Sequence, residues 1–178
     1  MKKLSIQSAL FLSVFYATSA FAAGNTKRTG DVLTVLLPIT AAGLSWHDND
    51  TEGVWQLVKS EGAALLITEA LKSSVHEMRP DHSDNKSFPS EHATAAFAAA
   101  QYLQMKGGYE FGIPAYAAST FVAYSRVHSR QHYWKDVIAG GAIGIGSSYY
   151  FTKSASGPRL SYVVGPNRYT GLQFSTNL

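Results

Sequence analysis

Apolar and polar residues alternate along this chain in long blocks. Residues 31–45 are apolar and close on the polar cluster His47-Asp48-Asn49-Asp50. Residues 53–78 carry Val54, Leu57, Val58, Leu65, Leu66 and Leu71 at roughly helical spacing, and Pro80 stops them. An alanine-rich stretch, 91–105, follows Pro89 and Ser90, a pair suited to opening a helix. Residues 112–126 and 132–151 give two more apolar stretches, the last rich in small residues. The pattern predicts an all-α bundle. Beyond it, Leu160–Val164 and Gly171–Ser175 alternate or favour β-branched and aromatic residues, with Gly165-Pro166-Asn167 between them. That predicts a short β-hairpin or extended arm, with a frayed terminus as the plain alternative.

The N-terminus has a different character. Met1-Lys2-Lys3 is followed by a short apolar run from Leu10 to Ala17 and by the small-x-small site Ala20-Phe21-Ala22. This is the layout of an export signal. Read as a membrane anchor instead, the run falls short of the ~20 residues a span needs. The expected organisation is a signal peptide at 1–22, one domain at 23–155 and a tail at 156–178. Lys2 and Lys3 leave with the signal while every acidic residue stays, so the precursor's +3 becomes +1. No dense basic run remains, and nucleic acid is not an expected partner. The chain has no cysteine, which excludes disulfides and thiolate metal sites. The localisation expected is the periplasm or the periplasmic face of a bacterial inner membrane. The short apolar runs, with Glu61 and Glu69 inside the second, favour a globular bundle that touches the membrane over one that spans it.

Three polar clusters lie at the ends of the apolar segments. In Lys72-Ser73-Ser74-Val75-His76-Glu77-Met78-Arg79-Pro80, a continuous helix would put Lys72 and Arg79 on one face, a pair suited to an anion with several oxygens. A solvated helix end explains the same cluster. Phe88-Pro89-Ser90-Glu91-His92 places backbone N–H groups at a helix N-terminus, an anion site, with His92 beside it able to donate a proton. Simple capping by Ser90 is the alternative. In the third cluster, Ser125 to Asp136, His132 and Asp136 are one helical turn apart, so the carboxylate can orient the imidazole as a nucleophile. Arg126 reaches that site only if residues 128–131 break the helix. An ordinary ion pair at a helix start is the competing reading.

Together the clusters resemble the PAP2 superfamily of phosphatases, whose signature is K-x6-R-P, P-S-G-H and S-R-x5-H-x3-D. The matching residues are Lys72, Arg79 and Pro80; then Pro89, Ser90 and His92; then Ser125, Arg126, His132 and Asp136. The resemblance implies a PAP2-like helical bundle. It implies that Lys72, Arg79, Arg126 and Ser90 bind phosphate and that His132 attacks phosphorus. Asp136 would orient His132, and His92 would protonate the leaving oxygen. It implies no cofactor and no metal.

Glu91 departs from the pattern, standing where the family has glycine. A carboxylate turned into the site would oppose phosphate or raise the pKa of His92. Rival readings are a catalytically impaired envelope protein of the same fold, a vanadium haloperoxidase, and a zinc protein using His128 and His132 at i and i+4. The expected substrate is a small soluble phosphate ester or a lipid phosphate such as undecaprenyl diphosphate, phosphatidylglycerophosphate or lipid A.

Overall fold

The computed structural model describes residues 25–154, 159–164 and 170–175; the export signal expected at 1–22 lies outside them. Five α-helices are found among the described residues: α1 (Thr26–His47), α2 (Thr51–Ser74), α3 (Glu91–Gly107), α4 (Tyr109–His128) and α5 (Trp134–Phe151). The tail forms the hairpin that its alternation predicts. Strands β1 (Arg159–Val164) and β2 (Thr170–Ser175) are antiparallel, with Tyr162 opposite Leu172.

Each predicted segment is a helix, but two ends differ and both matter for the site. The second helix stops at Ser74, because Val75 is already extended at φ −105°, ψ 101°. Beyond it the Ser87 N–H donates to the Glu77 carbonyl at 2.9 Å, and residues 77 and 86 form a parallel bridge. That pairing draws Arg79 off the helix, so Lys72 and Arg79 do not share a helical face. The last helix begins at Trp134 rather than 132, and α4 ends at His128. Residues 129–131 form a turn in which Arg130 takes a left-handed φ of 56°. His132 therefore precedes its helix, and His128 and His132 do not lie on one helix as the zinc reading requires.

Helix α3 is the central post. Ala96, Ala98, Ala99 and Ala100 are fully buried on it, and Leu33, Leu37, Leu57 and Val122 from α1, α2 and α4 complete the core. Helix α5 packs against α3 through glycine. A Cβ at Gly140 would lie 2.4 Å from the Ser90 carbonyl oxygen, and one at Gly144 would lie 2.2 Å from that of Thr94. Any larger residue would push α5, and the Asp136 it carries, off the cap of α3.

The outer faces are unusually apolar. Val35 and Ile39 on α1, Leu66 and Ile67 on α2, Ile113 on α4 and Ile138 on α5 are all exposed. Exposed aromatics flank this belt, with Trp46, Trp55, Tyr109, Tyr149 and Tyr150 toward one end and Tyr124, Tyr133 and Trp134 toward the other. The helices run from 17 to 24 residues, or roughly 25–36 Å at 1.5 Å per residue, which brackets a bilayer core. By composition alone α1 is apolar enough to cross a membrane. In water such a belt carries a hydration cost that lipid removes, and the aromatic flanks match membrane–water interfaces.

Candidate active site

The three clusters converge at one end of the bundle. They are brought there by the C-terminus of α2, the 75–90 loop, the N-termini of α3 and α5, and the C-terminus of α4. The surrounding surface is polar and exposed, with Ser74, His76, Asp81, Lys86, Arg130 and Lys135.

His132 is buried at 3% exposure. Its Nδ1 stands 2.7 Å from the Ser87 carbonyl oxygen and 3.6 Å from Asp136 Oδ2. A carbonyl oxygen can only accept, so Nδ1 carries the proton and Nε2 keeps a free lone pair. Burial, then the charge of Arg79, pushes the His132 pKa down to about 3; the Ser87 bond works in the opposite direction, and Lys72 and His92 add to the fall. The imidazole is neutral across the physiological range and is a ready nucleophile.

Asp136 is fully buried and works one step back from the ring. Its Oδ2 accepts the Ser87 hydroxyl at 2.5 Å and the Tyr133 N–H at 2.9 Å, while Oδ1 has no hydrogen-bond partner among the described residues. Its backbone carbonyl accepts the Ser90 N–H at 3.0 Å, which ties the start of α5 to the cap of α3. The expected pairing of Asp136 with His132 is thus present as proximity, while the ring's direct partner is Ser87. Sequence reasoning did not single out Ser87, since its main-chain carbonyl leaves no trace in residue type.

The cations are held by neutral oxygens as well as by charge. Lys72 Nζ donates to the Pro89 carbonyl at 2.6 Å, and burial lowers its pKa. Arg79 Nε donates to Asp84 Oδ1 at 2.7 Å, and its Nη1 reaches the Gln131 carbonyl at 3.4 Å. Arg126 is 1% exposed and lies at the end of α4. Its Nη1 donates to Gln131 Oε1 at 2.9 Å and to Asp31 Oδ1 at 2.6 Å, and its Nη2 donates to the Lys27 carbonyl at 2.6 Å. Gln131 therefore braces both arginines, one through its backbone and one through its side chain. The turn at 129–131 brings Arg126 to the site, as the predicted helix break requires.

Ser90 is buried and caps α3, with its Oγ accepting the Ala93 N–H at 3.5 Å. His92 follows in the first turn, 39% exposed, with Nε2 3.3 Å from Asp31 Oδ1. Its pKa is lowered by burial and then by Arg126, Arg79 and Lys72, with Asp31 opposing. Glu91 is exposed beside it and forms no ion pair among the described residues; its charge raises the Lys72 pKa. His128 is exposed and stacks on Tyr124, away from the His132 contacts. Among the described residues no group of three or more His, Asp or Glu side chains is placed to hold a metal ion.

Like Ser87, Asp31 and Gln131 of this constellation were not anticipated. A signal for Asp31 was present, as the lone acidic residue at the head of the first apolar segment.

Comparison with known proteins bears on this arrangement. The model of the PAP2 superfamily matches residues 53–157. The lipid A 4'-phosphatase of Helicobacter pylori is 30% identical over 137 residues, covering 71% of this chain and 69% of that protein. The lipid A 1-phosphatase of Porphyromonas gingivalis is 29% identical over 138 residues, covering 63% of this chain but only 31% of that protein. Among solved structures, Aquifex aeolicus LpxE aligns with a TM-score of 0.54 at 19% identity, over 84% of this chain and 87% of that one. The transmembrane PAP2-type phosphatidylglycerolphosphate phosphatase of Bacillus subtilis aligns with a TM-score of 0.57 at 22% identity, over 83% of each chain. At these identities the two structures speak for the fold.

Proposed function

This chain belongs to the PAP2 superfamily, and on that footing we propose that it hydrolyses lipid phosphate esters through a phosphohistidine formed on His132. The observation that carries the reading is the buried, neutral His132, whose free Nε2 lies within the field of Arg79 and Lys72.

The reaction follows from the positions. Lys72, Arg79, Arg126, Ser90 and the N–H groups opening α3 hold the phosphate dianion, which concentrates donors where charge builds. Nε2 of His132 attacks phosphorus in line, the P–O bond to the leaving group breaks, and His92 supplies the proton that the leaving oxygen takes. The positive charge left on the phosphorylated ring is offset by Asp136. Water then attacks phosphorus, giving its proton to His92, and inorganic phosphate departs with His132 restored. Phosphoryl transfer needs positioning and charge stabilisation above all, and this donor set supplies both. In the proposed mechanism the cations do the work that a metal does elsewhere.

The belt of exposed apolar side chains supports a bundle embedded in lipid, with the site at its polar end. An apolar groove lined by Phe97, Ala123, Trp134, Val137, Ile138 and Ile145 lies between α3, α4 and α5, with Trp134 at the start of α5 at one end of its lining on that helix. It suits one hydrocarbon chain of a lipid whose phosphate sits in the site, at ~0.8 kcal/mol per buried CH₂. The names of the relatives favour a lipid A-like substrate, and the leader expected at 1–22 favours a site on the periplasmic side.

The test is phosphate release by purified protein in detergent from lipid A, phosphatidylglycerophosphate, undecaprenyl diphosphate and a short soluble ester. Faster release from a lipid than from the short ester, insensitive to EDTA and inhibited by vanadate, is expected. Release that stops with EDTA and returns with zinc would overturn the metal-free mechanism. No release from any substrate would favour the impaired reading.

A further inference from the structure

We propose that Asp31 is a positioning residue, which holds the proton on Nε2 of His92 so that Nδ1 faces the leaving oxygen. The proposal rests on the phosphatase reading above and adds to it a residue from helix α1, outside the segment that the family model matches.

Helix α1 is fixed onto the site by close contact. A Cβ at Gly30 would lie 2.0 Å from Ser125 Oγ and 2.7 Å from Arg126 Nη2, so the first turn of α1 sits directly on the end of α4. The Lys27 carbonyl accepts Arg126 Nη2 at 2.6 Å, and Asn25 caps the turn by accepting the Arg28 N–H at 3.2 Å. This places Asp31 Oδ1 2.6 Å from Arg126 Nη1 and 3.3 Å from His92 Nε2. One carboxylate oxygen thus joins a phosphate-binding arginine to the proton donor.

The chemistry follows from which ring nitrogen faces the carboxylate. Nε2 is the ring nitrogen that faces Asp31, in ion-pair contact at 3.3 Å, and a carboxylate only accepts, so a proton on Nε2 is favoured in both charge states. The imidazolium has a second proton, on Nδ1, to give to the leaving oxygen as the P–O bond breaks. The neutral ring then has its lone pair on Nδ1, ready to take the proton of the attacking water. The charges of its packed neighbours that act most on His92 are the cations Arg126 on α4, Lys72 on α2 and Arg79 in the loop that follows, with Asp31 opposing them and Glu91 exposed beside it on α3. His132, ahead of α5, is neutral. Asp31 opposes burial and the three cations and so supports the protonated form of His92.

The role separates substrates by leaving group. An aryl oxide such as p-nitrophenolate leaves without a proton, whereas an alkoxide does not. Asp31→Asn should lower kcat/KM, which reports the phosphorylation step alone, by ~10–100-fold for an alkyl phosphate and by less than about threefold for p-nitrophenyl phosphate, whereas kcat also contains the dephosphorylation that His92 serves for both substrates. The alkaline limb of the alkyl-phosphate profile should move to lower pH. KM should hold or fall, because Arg126 loses its internal anion and is still braced by Gln131 and the Lys27 carbonyl. His92→Ala should show the same substrate selectivity, and adding Asp31→Asn to it should cost little more. Asp31→Glu, which keeps the charge, should recover part of the alkyl-phosphate rate.

Equal loss of kcat/KM on both substrates, or additive effects of Asp31→Asn and His92→Ala on it, would overturn the proposal in favour of a structural role. So would an unchanged kcat/KM on both. Parent protein inactive on both substrates would instead bring down the phosphatase reading, and this proposal with it.

Discussion

Nδ1 of His132 donates to the main-chain carbonyl of Ser87 at 2.7 Å, while the Ser87 hydroxyl donates to Asp136 at 2.5 Å. A single serine therefore fixes the tautomer of the proposed nucleophile with its backbone and anchors the neighbouring carboxylate with its side chain. Tautomer and charge are handled by different atoms, and substitutions can separate them.

Asp136→Asn should consequently be less damaging than in a triad where the carboxylate itself sets the tautomer, a change that costs ~10⁴ in kcat. Here the Ser87 carbonyl remains, and a loss of roughly 10–100-fold is expected from the missing charge alone. Ser87→Ala keeps the carbonyl but takes a donor from a buried carboxylate, so it should cost about 1–3 kcal/mol of stability and less activity. Rate assays with thermal unfolding of both variants test this. An Asp136→Asn rate as low as that of His132→Ala would contradict it.

His132→Ala should abolish turnover and leave the helical far-UV signal intact, because the ring precedes α5 and is no part of the main core. Acid-labile, base-stable phosphate should be trapped on the parent after a denaturing quench and be absent from the variant. Near-normal hydrolysis by the variant would end the phosphohistidine proposal.

Much of this was legible in the sequence, because the site uses charged and cyclic side chains at fixed spacings. Lys72, Arg79, Ser90, His92, Arg126, His132 and Asp136 converge as their motifs imply. The helices were legible from apolar blocks, and the hairpin from its alternation. What could not be read is carried by main-chain atoms and by distance. Ser87 acts through its carbonyl, Gln131 through both of its oxygens, and Asp31 lies 95 residues from Arg126. The shared helical face expected for Lys72 and Arg79 failed because pairing between residues 77 and 86 ends α2 early. The preference for a globular bundle also rested on short uninterrupted apolar runs. The exposed apolar faces agree with membrane association, and among the described residues α1 is the one helix long and apolar enough to cross a membrane, while Glu61 is half-buried and Glu69 exposed on α2.

Stability should fall on acidification through the burial of His132. Its folded pKa, about 3, is below the ordinary value of 6.5. Above pH 6.5 neither state binds the proton, and the stabilisation is fully present. Between 6.5 and about 3 the unfolded chain takes up a proton that the folded chain refuses, so stability drops as pH falls. His92 is shifted the same way and adds to the slope. The His132 contribution is of the order of a few kcal/mol over that window. Melting temperatures from pH 7 to 4 should fall less steeply for His132→Gln than for the parent. Parallel slopes would show that His132 titrates normally.

Glu91 is where this chain departs from its family, and the structure narrows what that costs. Its carboxylate is exposed at the first position of α3, where a negative charge is favoured by the helix dipole. It takes up no partner among the described residues, so the pairing with Lys86 that its position allows is not formed. Its charge is nonetheless felt at Lys72, whose protonated form it supports against burial. Two effects therefore oppose each other in Glu91→Gly. Removing the carboxylate relieves repulsion of the phosphate, worth about 1 kcal/mol at ~4–6 Å and intermediate dielectric. It also withdraws support from the Lys72 charge, and glycine weakens the first turn of α3 by up to ~1 kcal/mol. The expected result is a KM unchanged or lowered up to about fivefold, a kcat within about threefold of the parent, and a slightly lower melting temperature. Glu91→Gln separates the terms, since it removes the charge and keeps the helix: its KM should match that of Glu91→Gly while its stability stays near the parent's. Loss of kcat in both variants with the fold retained would mean that the carboxylate takes a direct part in the reaction, and the glycine of the family motif would not be its equivalent here.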